Sequence, residues 1–174
     1  ISNLDPNETI LNYVRLKLKK TGTKEGCAEG GCGACTIVLG ELKNNKIVYQ
    51  AINSCIAFVP SLEGKQLILV EDLVSKNGAL HTVQDAMINY HGSQCGFCTP
   101  GFVMSLFAMY KNFSFYNKEN IKDSISGNLC RCTGYRSIVD AAKSLNNVNR
   151  LDQFDKNKKK IISLLKKINS ENLS

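Results

Sequence analysis

The chain has 174 residues and a net charge of +7, a length that suits one large domain or two small ones. No apolar run approaches the length that a bilayer span needs, which excludes a membrane-spanning helix. The charge is uneven: after Val148 seven basic residues face three acidic ones, with Phe154 as the lone aromatic, so base stacking has no support and a nucleic-acid partner is not expected.

In chain order, Asp5, Pro6, Glu8 and Thr9 supply the start signals of a helix, with Asp or Thr as its cap. Ile10, Leu11, Val14 and Leu18 follow at helical spacing and predict one apolar face. A glycine-rich loop over residues 22–33 comes next. Three apolar, β-prone runs then cover residues 36–39, 46–52 and 66–70, separated by Asn44-Asn45 and Gly64. One helix among short strands reads as a small α+β domain.

Past Gly78 the period becomes helical. Thr82, with Gln84 and Asp85 behind it, predicts a capped helix to about Tyr90. Thr99-Pro100 predicts a second start, a capping hydroxyl followed by proline. Residues 101–111 are apolar nearly all round and predict the buried centre of a bundle. Shorter helices over 120–126 and from Tyr135 to about Leu145 bring the count to four. Residues 157–170 read as a solvated linker or as an amphipathic helix with Ile161, Leu164, Leu165 and Ile168 on one side, which a membrane surface could take. The domains expected are therefore residues 1–77, 78–148 and a basic tail over 149–174.

The eight cysteines form two groups of four. Cys27-x4-Cys32-x2-Cys35 with Cys55 beyond has the plant-type [2Fe–2S] spacing; Cys95-x2-Cys98 with Cys130-x-Cys132 makes a second complete quartet. Gly26, Gly30, Gly31 and Gly33 allow the tight backbone and close amides that a cluster needs. The second quartet precedes two helix starts, where free amides favour an anionic group; Arg131 between two ligands adds to that or is simply solvated. His81 and His91 read as capping or packing residues. Structural zinc also takes four thiolates, although the x4 spacing fits it less well, and a disulfide framework stays open too. No signal peptide is visible, which favours a reducing, cytoplasmic setting and free thiols.

Four segments, GTKEGCAEGGCGACTIVL, NSCIAFVPSLEG, HGSQCGFCTPGFVMS and GNLCRCTGYRSI, resemble in this order the iron–sulfur subunit or domain of the molybdenum hydroxylases. The resemblance covers about residues 1–145 and is strongest to bacterial xanthine dehydrogenase small subunits. It implies a plant-ferredoxin-like β-grasp domain followed by a four-helix [2Fe–2S]-binding domain. It also implies a partner chain carrying molybdopterin and a further domain or chain carrying FAD. Electrons would pass from molybdenum to the helical-domain cluster, then to the ferredoxin-like cluster, then to FAD and NAD. Aldehyde oxidase, carbon monoxide dehydrogenase and aromatic-ring hydroxylase small subunits are the alternatives within the family. Gln94 matches the glutamine that contacts the molybdopterin there. The family opens with a hairpin whose first strand lies upstream of Ile1, so the chain is expected to begin inside the second strand.

Overall fold

The computed structural model describes residues 4–148 and 151–171. Its first helix opens at Thr9, whose hydroxyl accepts the Asn12 amide at 3.2 Å, as the sequence leads one to expect. After one α turn, α1 (Ile10–Asn12), the backbone widens into a π turn over Tyr13–Lys17, with the Leu18 amide bonded to the Tyr13 carbonyl. Ile10, Leu11 and Val14 are buried, but the extra residue in the turn rotates Leu18 away, leaving it 43% exposed.

Three antiparallel strands follow: β1 (Thr36–Lys43), β2 (Lys46–Asn53) and β3 (Gln66–Ile68), in the order β2-β1-β3. The Asn44-Asn45 turn joins the first two with both residues at positive φ, the geometry that suits a tight hairpin. β1 and β2 run longer than the apolar pattern suggests. β3 is shorter, because Val70–Leu73 winds into a 3₁₀ turn whose Asp72 carboxylate accepts the Leu69 amide at 2.9 Å. Residues 1–3, where an opening strand would lie, are outside the described residues, and Leu4 and Asp5 are not in a strand.

Both faces of β1 are covered. Ile37 and Leu39 pack with Ile10, Val14, Val59, Leu62 and Leu69 on one side. Val38 turns to the other side and joins the helical core. That core is built on α3 (Thr99–Asn112), buried from Gly101 to Tyr110, with α2 (Thr82–Asn89), α4 (Lys118–Ile125) and α5 (Arg136–Ser144) around it. Val38, Ile47, Tyr49 and Ile68 of the ferredoxin-like part share one apolar cluster with Phe102, Phe107 and Ile138 of the helical part. The two cysteine-bearing parts are therefore layered on each other and share a core. At the end of α3, the Asn112 side chain donates to the Tyr49 carbonyl at 2.5 Å and accepts the Tyr49 amide at 3.1 Å.

Two helix starts differ from the sequence reading. α2 is capped not by the expected Thr82 but by His81, in the capping role that the sequence reading allows it: its Nδ1 accepts the Val83 amide at 3.2 Å, and Gln84 returns a bond to the His81 amide at 2.9 Å. Imidazole can cap here because its other nitrogen has a partner, Asp152, at 3.0 Å. At α3 the cap position is Cys98, and the Thr99 hydroxyl instead donates to Ser93 Oγ at 2.7 Å.

The tail folds as α6 (Gln153–Lys156) and α7 (Lys158–Glu171). Phe154 is 7% exposed, with its ring centroid 5.0 Å from that of Phe107, and Leu165 is buried. Gln153 donates to the carbonyls of Asp72 and Leu73. Of the two readings of residues 157–170, the amphipathic helix is the one observed: Leu165 is buried and Ile161 and Ile162 pack on the core, while Leu164 and Ile168 stay exposed.

Candidate metal centres

Three cysteines of the first quartet, Cys27, Cys32 and Cys35, sit on a loop threaded between the α1 π turn and β1. Gly30 (φ +80°) and Gly33 (φ +70°) take left-handed conformations that other residues adopt only with strain. The turn aims two amides at the first thiol, with Glu29 N and Cys32 N at 3.5 and 3.4 Å from Cys27 Sγ. These donors, that of Glu29 foremost, bring the Cys27 thiol down to about 7. A Cβ built on Gly26 would stand 2.8 Å from Cys32 Sγ, so only glycine leaves that sulfur its place. Cys55 arrives just after β2 and is buried beside Cys35 and Leu11. Burial pushes its thiol up to about 12, with the neighbouring Cys35 adding to the shift. Ser54, wholly buried, donates its hydroxyl to the Cys35 carbonyl at 2.7 Å, and Asn53 donates to the Gly30 carbonyl at 2.6 Å.

The second quartet lies nearer the surface. Cys98 occupies the cap position of α3 without a side-chain capping bond, and Cys130 and Cys132 precede α5. Cys95 and Cys132 are exposed. Burial pushes Cys98 up to about 12, with Cys130 reinforcing it. At Cys130 burial acts in the opposite direction to its hydrogen bonds; those with Thr133 and Cys132 outweigh it and lower the thiol. Thr133 Oγ1 lies 3.1 Å from Cys130 Sγ and accepts the Tyr135 amide, while the Tyr135 hydroxyl accepts the Cys130 amide at 2.9 Å. Tyr135 itself is held at φ +68°, a strained position at the entry to α5. Arg131 and Gln94 are both exposed beside cysteines of this quartet, and His91 lies in the turn after α2 at φ +54°.

All eight cysteines are free thiols. They meet in pairs: Cys27 with Cys32, Cys35 with Cys55, Cys98 with Cys130, and Cys95 with Cys132. Among the described residues no group of three or more Cys, His, Asp or Glu is arranged to hold a single ion. Two pairs per quartet match a two-iron cluster, in which each iron takes two thiolates. Donor type, pairing and glycine-lined space all fit that group.

The two sites are joined by backbone. The Leu129 amide, next to Cys130, donates to the carbonyl of Cys32 at 2.9 Å. Asn128 donates to the Gly33 carbonyl at 2.9 Å and accepts the Ser105 hydroxyl at 2.6 Å. Asn128, Ser54, Thr133 and Tyr135 are polar residues beside the cysteines that the sequence reading passes over. The available signal was their position within three residues of a quartet cysteine inside the NSC, GNLC and CTGY segments.

Comparison with known proteins agrees with this geometry. The 2Fe-2S iron-sulfur cluster binding domain family matches residues 2–60, and the [2Fe-2S] binding domain family matches residues 69–143. Xanthine dehydrogenase of Blastobotrys adeninivorans is 51% identical over 147 residues, covering 83% of this chain and 10% of the relative. Human aldehyde oxidase is 43% identical over 144 residues, covering 82% of this chain and 11% of the relative. The chain belongs to the iron–sulfur part of the molybdenum hydroxylases. The solved aldehyde oxidoreductase from Desulfovibrio desulfuricans superposes with a TM-score of 0.74 at 31% identity, over 91% of this chain and 16% of that one. Quinoline 2-oxidoreductase from Pseudomonas putida 86 superposes at 0.70 with 28% identity, over 94% and 87%. The fold is thus a ferredoxin-like domain with a helical [2Fe–2S] domain, and the chain spans about a tenth of the curated relatives it matches. It is an electron-transfer segment of an oxidoreductase. No helix among the described residues is long and apolar enough to cross a membrane.

Proposed function

We propose that Cys27, Cys32, Cys35 and Cys55 hold one [2Fe–2S] cluster and Cys95, Cys98, Cys130 and Cys132 the other. On this reading the ferredoxin-like module (residues 1–77) and the helical module (78–148) relay electrons from a molybdopterin-bearing partner to an FAD-bearing one. The observation that carries it is the direct backbone link between the quartets, Leu129 N to Cys32 O at 2.9 Å. When bound, each cluster supplies a centre that takes up and returns one electron. The residues of the chain do the rest. Glu29 and Cys32 amides and the two helix N-termini offset negative charge at the sulfurs. Exposed Cys95, Cys132 and Gln94 give the helical site an open face for the molybdopterin partner. A neutral amide at Gln94 can both donate to and accept from a pterin edge without adding charge. Buried Cys35 and Cys55 keep half of the other site away from water.

The substrate we propose is xanthine or hypoxanthine, with NAD as acceptor, in a cytoplasmic enzyme; the support is an identity of 45–51% to xanthine dehydrogenases against 43–44% to aldehyde oxidases. The full-length enzyme, mixed anaerobically with xanthine, should lose its visible absorption and recover it when NAD is added. Bleaching by an aldehyde but not by xanthine would move the enzyme to the aldehyde oxidase branch. A full-length protein without iron or visible absorption would overturn the relay itself.

A further inference from the structure

Asn128 touches the supports of both quartets at once. Its side chain is 3% exposed and commits both donors and its acceptor oxygen to two other segments. Nδ2 donates to the Gly33 carbonyl at 2.9 Å and to Thr36 Oγ1 at 3.1 Å, while Oδ1 accepts Ser105 Oγ at 2.6 Å. Gly33 lies between Cys32 and Cys35. Ser105 lies on α3, seven residues after Cys98. Asn128 itself comes two residues before Cys130. Thr36 closes the ring by donating its hydroxyl to the same Gly33 carbonyl at 2.7 Å.

The backbones at this point meet with no space between them. A Cβ on Gly33 would stand 2.2 Å from the Gly127 carbonyl, and one on Gly101 would stand 2.2 Å from the Gly33 carbonyl. An apolar contact could hold these loops together as firmly, but it would accept several sliding registers. A buried amide with two donors and one acceptor satisfied accepts one, because any slip leaves a buried polar group without a partner. The bond that this register aligns is the one from Leu129 N to Cys32 O, which puts a single hydrogen bond between a first-quartet residue and the residue bonded to Cys130.

We infer that Asn128 is a positioning residue for electron transfer between the two cluster sites, an inference that rests on the relay reading above. It touches neither cluster's sulfur atoms. It acts by fixing the loop register that keeps the Leu129–Cys32 bond formed.

The test uses the full-length enzyme with Asn128→Ala, Asn128→Asp and Ser105→Ala. Three quantities are measured: iron content, hydrogen exchange of the Leu129 amide, and the rate at which an electron delivered by a short pulse of reductant redistributes between the two sites. Asn128→Ala should keep the wild-type iron content, exchange the Leu129 amide on the order of tenfold faster and slow redistribution by a similar factor, about the ratio that one lost buried hydrogen bond sets. Asn128→Asp should act in the same direction, because it replaces a donor to the Gly33 carbonyl with an acceptor. Ser105→Ala, which keeps the donors, should give a smaller slowing. Unchanged redistribution in Asn128→Ala at full iron content overturns the inference while leaving the relay standing. If Asn128→Ala fails to retain iron, Ser105→Ala decides, and an unchanged rate there is equally fatal. Absence of iron from the wild-type enzyme removes the relay and this inference together.

Discussion

Lys111, near the end of α3, holds the Asp152 carboxylate at 3.0 and 3.1 Å, with both side chains more than nine-tenths buried. His81 donates to the same carboxylate from the cap of α2, and Asp152 in turn caps α6 by accepting the Phe154 and Asp155 amides. One carboxylate therefore pins the tail to two helices of the core. Removing one partner of such a pair leaves a buried charge uncompensated.

Asp152→Ala should lower stability by about 3 kcal/mol at neutral pH, read as the shift in a urea or thermal unfolding curve. The sign of its pH dependence is fixed. Burial opposes ionisation of Asp152, but the His81 bond, the Asp155 amide and Lys111 outweigh it and hold the carboxyl below its ordinary value. Its contribution is present above the unfolded value of about 3.9 and is lost as the pH falls through the lower, folded value. The gap between wild type and Asp152→Ala should therefore be constant near neutrality and shrink below about pH 4. A gap that persists in acid would mean that Asp152 acts by packing alone.

Cluster content tests the ligand assignment. The isolated full-length protein should carry four irons and four labile sulfides on this segment, and partial reduction should give two distinct paramagnetic signals, since the two settings differ in burial and donors. Cys55→Ser should weaken one signal and leave the other. Loss of both together would show that the quartets do not fill independently.

Gln94→Ala should leave iron content and both signals unchanged while slowing reduction of the helical site by substrate. The exposed position immediately before Cys95 is the basis for this separation. Loss of iron in that variant would make Gln94 a structural part of the site and not a contact to the partner.

Two left-handed glycines separate crowding from backbone strain. Gly78 (φ +84°) has nothing within 4 Å of a built Cβ, so Gly78→Ala should cost about 1 kcal/mol, the penalty of the conformation alone. Gly33→Ala adds a clash with the Gly127 carbonyl and should cost at least about 2 kcal/mol more, which lowers the melting temperature by about 5 °C or more beyond Gly78→Ala. Equal melting points would show that the loops part easily there.

What could be read from the sequence was local. Thr9, the Asn44-Asn45 turn and the apolar run within α3 carry their own signals, and the cysteine spacing carries the site. Leu18 misleads because a π turn changes the period without marking the sequence. Thr82 looks like a cap because hydroxyls usually are; His81 takes the role only because Asp152, 71 residues away, occupies its other nitrogen. The tail helix shows its apolar side in the sequence, but the tail's docking through Phe154 on Phe107, and the Asn128 ring, are invisible for the same reason, since their partners are distant in the chain.

The Asn112 side chain presents to Tyr49 one donor and one acceptor, the same pair of groups that another strand would offer. β2 is an outer strand of the sheet, and an outer strand with open amides and carbonyls is a template for stray chains. Asn112 fills that position from the end of α3, so the helical module also guards the sheet of its neighbour against intermolecular strand addition.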